Sequence, residues 1–234
     1  MWVAAGFQNW RRLLFLHWQV AASELRPHVP PSLAIEEFDG SAYVGLVPFE
    51  VQAARPLGAP QALGLSFLET NVRTYVQTPD GAPGVYFFSL DATSLTAVVG
   101  ARVAFGLPYF WATGEQRAVS AGSTEYRLRR YFGRQPGCHV RYAVGEYRGP
   151  AAPGTLDHFL IERYILHVVR GGRVWSVRVR HRPYPLHVAD VEVLDDQLVD
   201  AAGVRTTRQA PLVHFASGVD VAVSLPRVRP VGPA

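Results

Sequence analysis

The chain has 234 residues, 48% of them hydrophobic and 18% charged, which is enough apolar content to bury a sizeable core. Its 23 basic residues are all arginine and stand against 19 acidic ones, for a formal charge of +4. The arginines are scattered instead of massed, which argues against a nucleic-acid surface. The single cysteine, Cys138, rules out a disulfide framework or a thiolate metal cluster and fits a reducing cytoplasm.

The N-terminal stretch WRRLLFLHWQVAAS imitates a signal peptide, but His17, Trp18 and Gln19 interrupt its apolar run. No segment reaches the ~20 apolar residues that span a bilayer, so the expectation is a cytoplasmic protein without a membrane partner. From there period-two alternation dominates, broken by Gly/Pro loops such as RPLGAP, TPDGAPG and RGPAAPG. The predicted strands are SAYVGLVPF, ETNVRTYVQ, GVYFFSLDA, STEYRLRRYF, CHVRYAVGEY, RYILHVVR, RVWSVRVRH and GVDVAVSLP. Two segments show helical spacing instead. In TSLTAVVGARVAFG, Leu95, Val98, Val99 and Val103 share a face behind a Thr93 or Ser94 cap; in TLDHFLIER, Leu156, Phe159 and Leu160 do so behind Thr155. A short acidic turn around Asp195, Asp196 and Gln197 is a third helical candidate. The fold class is therefore mainly β with minor α content, in one domain spanning residues 1–234.

Two strands carry the informative faces. In ETNVRTYVQ, alternation sets Glu69, Asn71, Arg73 and Tyr75 on one side and Thr70, Val72, Thr74 and Val76 on the other. The polar row either faces solvent or lines a polar cavity, where Glu69 and Arg73 would make a charge-assisted pair. In RVWSVRVRH, His181 falls on the apolar side with Trp175, Val177 and Val179, and RPYPLHV beyond it reads as a rigid segment that ends strand pairing. His181 and His187 have no carboxylate or cysteine at ligand spacing, so no metal site is expected. Phosphate-binding glycine loops, the Gly-x-Ser-x-Gly elbow and paired-histidine zinc helices are absent from the sequence. Ser217 and Asp220 read as a turn entering a strand.

The blocks FLHWQV, ETNVRTYV, GVYFFSLDA, GLPYFWA, HFLIERYILH, HRPYPLHVADV and ASGVDVAV, in that order, resemble the YqjF-like domain of unknown function. That family lies within the acetoacetate-decarboxylase-like superfamily, and the resemblance runs from about Arg12 to about Leu225. It implies a mostly antiparallel, conical β-barrel-like sheet with a second sheet, a few short helices and a central cavity. In acetoacetate decarboxylase a Gly-Phe-Pro-Lys-Lys segment supplies the lysine that forms a Schiff base. The matching segment here is Gly106, Leu107, Pro108, Tyr109 and Phe110, and no lysine occurs anywhere in the chain, so imine chemistry on a side chain is excluded.

Glu69 matches the glutamate beside that lysine, so the resemblance favours an inward-facing row. It implies a site for an anionic keto or hydroxy acid, bound by Arg73 and Asn71 with Tyr75, Trp111 and His181 as further contacts. Glu69 and Tyr109 would be the acid/base candidates, with no cofactor. The three aromatics of LPYFWA are otherwise core residues around a proline-ended turn, and Asp91 and Arg102 are candidates for a structural pair. Two other readings stay open: a non-catalytic binding or sensing module, and an oligomer-forming protein with Trp2, Trp10 and Trp18 at an interface between copies.

Overall fold

The structure is a computed structural model and describes residues 2–120, 122–206 and 209–229. The strands in chain order begin with β1 (Ala4–Val20), β2 (Ala34–Ile35), β3 (Ala42–Pro56), β4 (Leu65–Gln77), β5 (Pro83–Ala92), β6 (Tyr109–Ser120) and β7 (Ser123–Arg130). They continue with β8 (Gly137–Gly149), β9 (Ile165–Arg170), β10 (Arg173–Arg180), β11 (Leu186–Asp196), β12 (Leu212–Ser224) and β13 (Arg227–Val228). The α-helices among the described residues are α1 (Ala22–Leu25), α2 (Leu95–Phe105), α3 (Leu156–Ile161) and α4 (Leu198–Ala201).

All these strands join one 13-stranded sheet, where a central β-barrel-like sheet plus a second one was expected, because the sheet forks and closes on itself. The early half of β5 pairs in parallel with β9 and its late half with β6. β12 likewise pairs with β11 and with β10. Strands β12, β1, β3, β4 and β5 are thus shared by two closed rings, one running through β6, β7, β8 and β11, the other through β9 and β10. Closure removes the unpaired edges an open sheet would present. It also buries both faces of the shared strands: Leu14, Leu16, Val44 and Val72 pack into one core, while Leu13, Phe15, Val47 and Tyr75 pack into the other.

Two β-bulges adjust the alternation. Arg12 and Ala53 have φ of +51° and +50° in the left-handed region, and the β1–β3 and β3–β4 registers slip at these places. A bulge adds one residue and reverses the side-chain parity beyond it. Trp10 therefore joins Leu13 and Phe15 on the same side, as Ala54 joins Val51 and Phe49.

The parallel β5–β6 pair needs a crossover, which α2 provides. The Ser94 hydroxyl accepts from Ala97 N–H at 3.3 Å to start α2, and Gly106 at φ +68° ends it with its N–H on the Arg102 carbonyl. The expected buried stripe is corrected: Val98 is buried, but Leu95, Val99 and Val103 are exposed. Thr155 caps α3. The Asp196 carboxylate caps α4 by accepting from the N–H groups of Leu198 and Val199. Residues 181–185 belong to no strand, so this stretch ends the pairing of β10 as expected, and Leu186 opens β11. Trp18 is a core residue, so it cannot serve an interface between copies.

Candidate functional site

β4 sets the axis of the site. Its odd-numbered residues from Leu65 to Arg73 line a cavity of about 540 Å³ enclosed by the shared strands, β9, β10 and α2. Leu65, Ala104 and Leu225 are exposed and form the rim, whereas Glu69, Asn71 and Arg73 are 5%, 5% and 7% exposed. The polar row thus descends from rim to floor, and it does not face solvent.

Halfway down, the Tyr109 hydroxyl donates to Glu69 Oε2 at 2.8 Å. The αL turn at Gly106 and the Leu90–Tyr109 register of β5 and β6 bring Tyr109 across from β4. Burial drives the Glu69 carboxyl upward, to about 8; the Tyr109 hydrogen bond opposes this and the Asp91 charge reinforces it. Burial and the neighbouring Glu69 hold the Tyr109 phenol well above its usual range. Near neutral pH the pair is therefore a protonated carboxyl that accepts from a neutral phenol, and the carboxyl's own proton is the one free to be donated to a bound oxygen. The expected Glu69–Arg73 pairing does not occur; Tyr109 is the carboxyl's partner.

At the floor, Arg73 Nη2 donates to the Leu160 carbonyl at 2.9 Å, and the guanidinium lies over the Phe15 ring at 5.5 Å. Its Nε is buried without a hydrogen-bond partner, as is Asn71 Oδ1. Neighbouring carboxylates are engaged elsewhere. Glu36 pairs with Arg163 at 2.8 Å, Glu162 accepts from the Tyr184 N–H and the Tyr164 hydroxyl, and Asp91 is held by Arg130. Among the described residues no carboxylate salt-bridges Arg73, so a buried positive charge with free donor capacity faces the cavity.

Tyr75 continues the row, yet it is structural. Its hydroxyl donates to the Leu160 carbonyl at 2.7 Å and accepts from His17 Nε2 at 2.8 Å. That bonding assigns the neutral Nε2–H tautomer to His17, which burial, then Arg73 and His214, hold well below its ordinary pKa. Gly45 makes room for the ring, since a Cβ there would stand 2.8 Å from His17 Cδ2.

Trp111 and His181 also lie outside the cavity wall. β6 leaves the cavity after Tyr109, and Trp111 stacks on Tyr131 with centroids 4.1 Å apart. His181 sits past the end of β10 behind Tyr184, its Nδ1–H on the Arg182 carbonyl and its ring 4.5 Å from that of Tyr184. Phe110 faces the other way, under the Arg130 guanidinium at 3.7 Å. Asp91 pairs with Arg130 and not with Arg102, whose guanidinium lies 5.8 Å from the Phe110 ring centroid. Trp10 lines the cavity. Asp220 is occupied by Arg11 and Asn9 and makes no catalytic grouping with Ser217.

Sequence reasoning did not single out Arg163 or Tyr184, which complete the floor. Both occur in the matched blocks HFLIERYILH and HRPYPLHVADV, and that membership was the available signal. The Leu160 carbonyl, a backbone acceptor, had none.

Residues 7–220 match the family model of DUF2071, described as an uncharacterized conserved protein. The chain belongs to the DUF2071 family. This DUF2071 protein is 35% identical over 215 residues to the uncharacterized protein YqjF of Bacillus subtilis, covering 92% of this chain and 88% of that one. In fold it is similar to the enduracididine biosynthesis enzyme MppR complexed with pyruvate, with a TM-score of 0.65, 14% identity and coverage of 100% of this chain and 93% of that chain. An acetoacetate decarboxylase from Legionella pneumophila gives a TM-score of 0.65 at 13% identity, over 100% of this chain and 90% of that one. An acetoacetate decarboxylase-like enzyme from Sphingomonas wittichii gives 0.66 at 10% identity, over 98% and 94%. At these identities the structural likenesses establish the DUF2071 protein's acetoacetate-decarboxylase-like fold. No helix among its described residues is long and apolar enough to cross a membrane.

Proposed function

We propose that the protein binds a small carboxylate or keto-type molecule in the ring cavity and assists a lyase-, hydratase- or tautomerase-like step without an imine. Arg73 receives the anionic group, Asn71 adds a polar contact beside it, and Glu69 with Tyr109 acts as the acid pair. The observation that carries this reading is Arg73, a buried guanidinium with an unpartnered Nε on the wall of the cavity that also holds Glu69. A carboxyl tuned to about 8 is in the range where general acid assistance at neutral pH is effective, worth typically ~100- to 10,000-fold. The pyruvate in the MppR complex supports the keto-acid class. A second reading, a binding or sensing module without turnover, is favoured by Tyr109 and Phe110 standing where the decarboxylase carries its lysines.

A thermal-shift screen of wild type and Arg73→Ala against keto and hydroxy acids tests the site. A ligand at a hundredfold its Kd stabilises the native state by about 2.7 kcal/mol, which the variant should lose. An identical response of both proteins to every acid would remove Arg73 from the site. Turnover of a bound acid by wild type, weakened in Glu69→Gln, separates enzyme from sensor.

A further inference from the structure

The cavity is far larger than its polar groups need. At about 30 Å³ per water-sized volume, 540 Å³ holds on the order of 18 such volumes, several times what pyruvate fills. Its depth follows β4 from Leu65 at the rim to Arg73 at the floor, eight steps of ~3.3 Å or roughly 26 Å of strand. Polar groups concentrate in the lower part. The wall above and around them is apolar, with Phe7, Phe49, Phe67, Phe87, Leu90 and Leu107. The polar rim residues are turned to other tasks: Gln8 accepts from Trp10 Nε1–H, and Arg55 donates to the Ala53 carbonyl. On the α2 side the wall is formed by Ala97, Gly100, Ala101 and Ala104. A Cβ placed on Gly100 would meet nothing within 4 Å.

From this we infer that the ligand is amphipathic: a 2-oxo or 2-hydroxy acid whose carboxylate sits at Arg73 and whose apolar body, an acyl chain or ring, fills the cavity past Glu69 and Tyr109 to the α2 rim. The inference rests on the reading that the cavity takes an acid, and it adds the class of acid. A charged head sinks to Arg73, which no carboxylate among the described residues neutralises, and each methylene that follows leaves water for an aromatic-lined wall. The Glu69 and Tyr109 pair then meets the ligand's body beyond its carboxylate.

The experiment is calorimetric titration of wild type, Arg73→Ala and Gly100→Phe with straight-chain 2-oxo acids from pyruvate to roughly twelve carbons, and with their methyl esters. About 0.8 kcal/mol per buried methylene is about fourfold in Kd per carbon, so affinity should climb steeply and then level when the cavity is full. Gly100→Phe, at an exposed helical position, should flatten the climb for long chains and leave the shortest acids unaffected. Ala104→Phe serves as a second plug if Gly100→Phe does not melt cooperatively. Esters and Arg73→Ala should lose the binding. Short acids that bind through Arg73 with no gain from chain length would overturn the amphipathic ligand and keep the acid site. Tightening that persists in the esters and in Arg73→Ala would mean a greasy wall without a head-group site. No binding at any length would defeat the acid reading itself.

Discussion

Replacing Glu69 by glutamine isolates the proton that the cavity wall holds. In the native state the carboxyl keeps its proton up to about 8, and in the unfolded chain it releases it near 4.5. Its native pKa is raised, so the stability it contributes is complete below 4.5 and is lost as pH climbs through 8, because over that window the folded protein binds a proton that the unfolded chain does not. At 1.36 kcal/mol per pH unit, the full window is worth roughly 5 kcal/mol. The substituted amide would still accept from the Tyr109 hydroxyl but would not titrate. Urea unfolding of both proteins at pH 5, 6, 7 and 8 gives the gap between them, and groups common to both cancel. That gap should move against wild type by about 3–4 kcal/mol between pH 5 and pH 8. A gap that stays constant across the series would mean that Glu69 is already ionised in its cavity, which would refute the protonated acid pair.

Arg73→Met should abolish the response to keto acids and leave the protein at least as stable in urea as wild type, since it removes an uncompensated buried charge and keeps the Tyr75 bond to the Leu160 carbonyl. A loss of more than about 2 kcal/mol would mean that the guanidinium is scaffold. Asp91→Ala strands the Arg130 guanidinium, now held by both carboxylate oxygens, and should destabilise by about 3–5 kcal/mol in the same assay. A loss under about 1 kcal/mol would show that Arg130 escapes to solvent.

The period-two reading of β4 separated Glu69, Asn71 and Arg73 from Thr70, Val72 and Thr74, and the structure keeps that separation. What alternation could not supply is where each row faces, because the strand belongs to two rings and each face looks into one of them. The α2 stripe shows the opposite failure. Large apolar residues usually mark the buried side, but a helix that walls a cavity turns its small residues inward, so Leu95, Val99 and Val103 face out. Trp111 and His181 were expected at the site, but their environments are set by Tyr131 and Tyr184, partners that neither the resemblance nor alternation reveals. Asp91 found Arg130 instead of Arg102 for the same reason, since the parallel β5–β6 pairing brings β7 near. The bulges at Arg12 and Ala53 are the least legible feature, because neither carries the glycine that usually marks a positive φ.

The strands common to both rings act as a partition wall between two rooms. On β4, Val72 and Val76 pack into the buried apolar core of one room, while Asn71 and Arg73 furnish the other. Neighbouring letters of one short word therefore answer to different demands. A residue facing the cavity can be exchanged for a new specificity without disturbing the packing one position away. A lineage can therefore retune what it binds through the cavity-facing positions from Leu65 to Arg73, while Val72, Val76 and the structural Tyr75 keep the fold's anchorage.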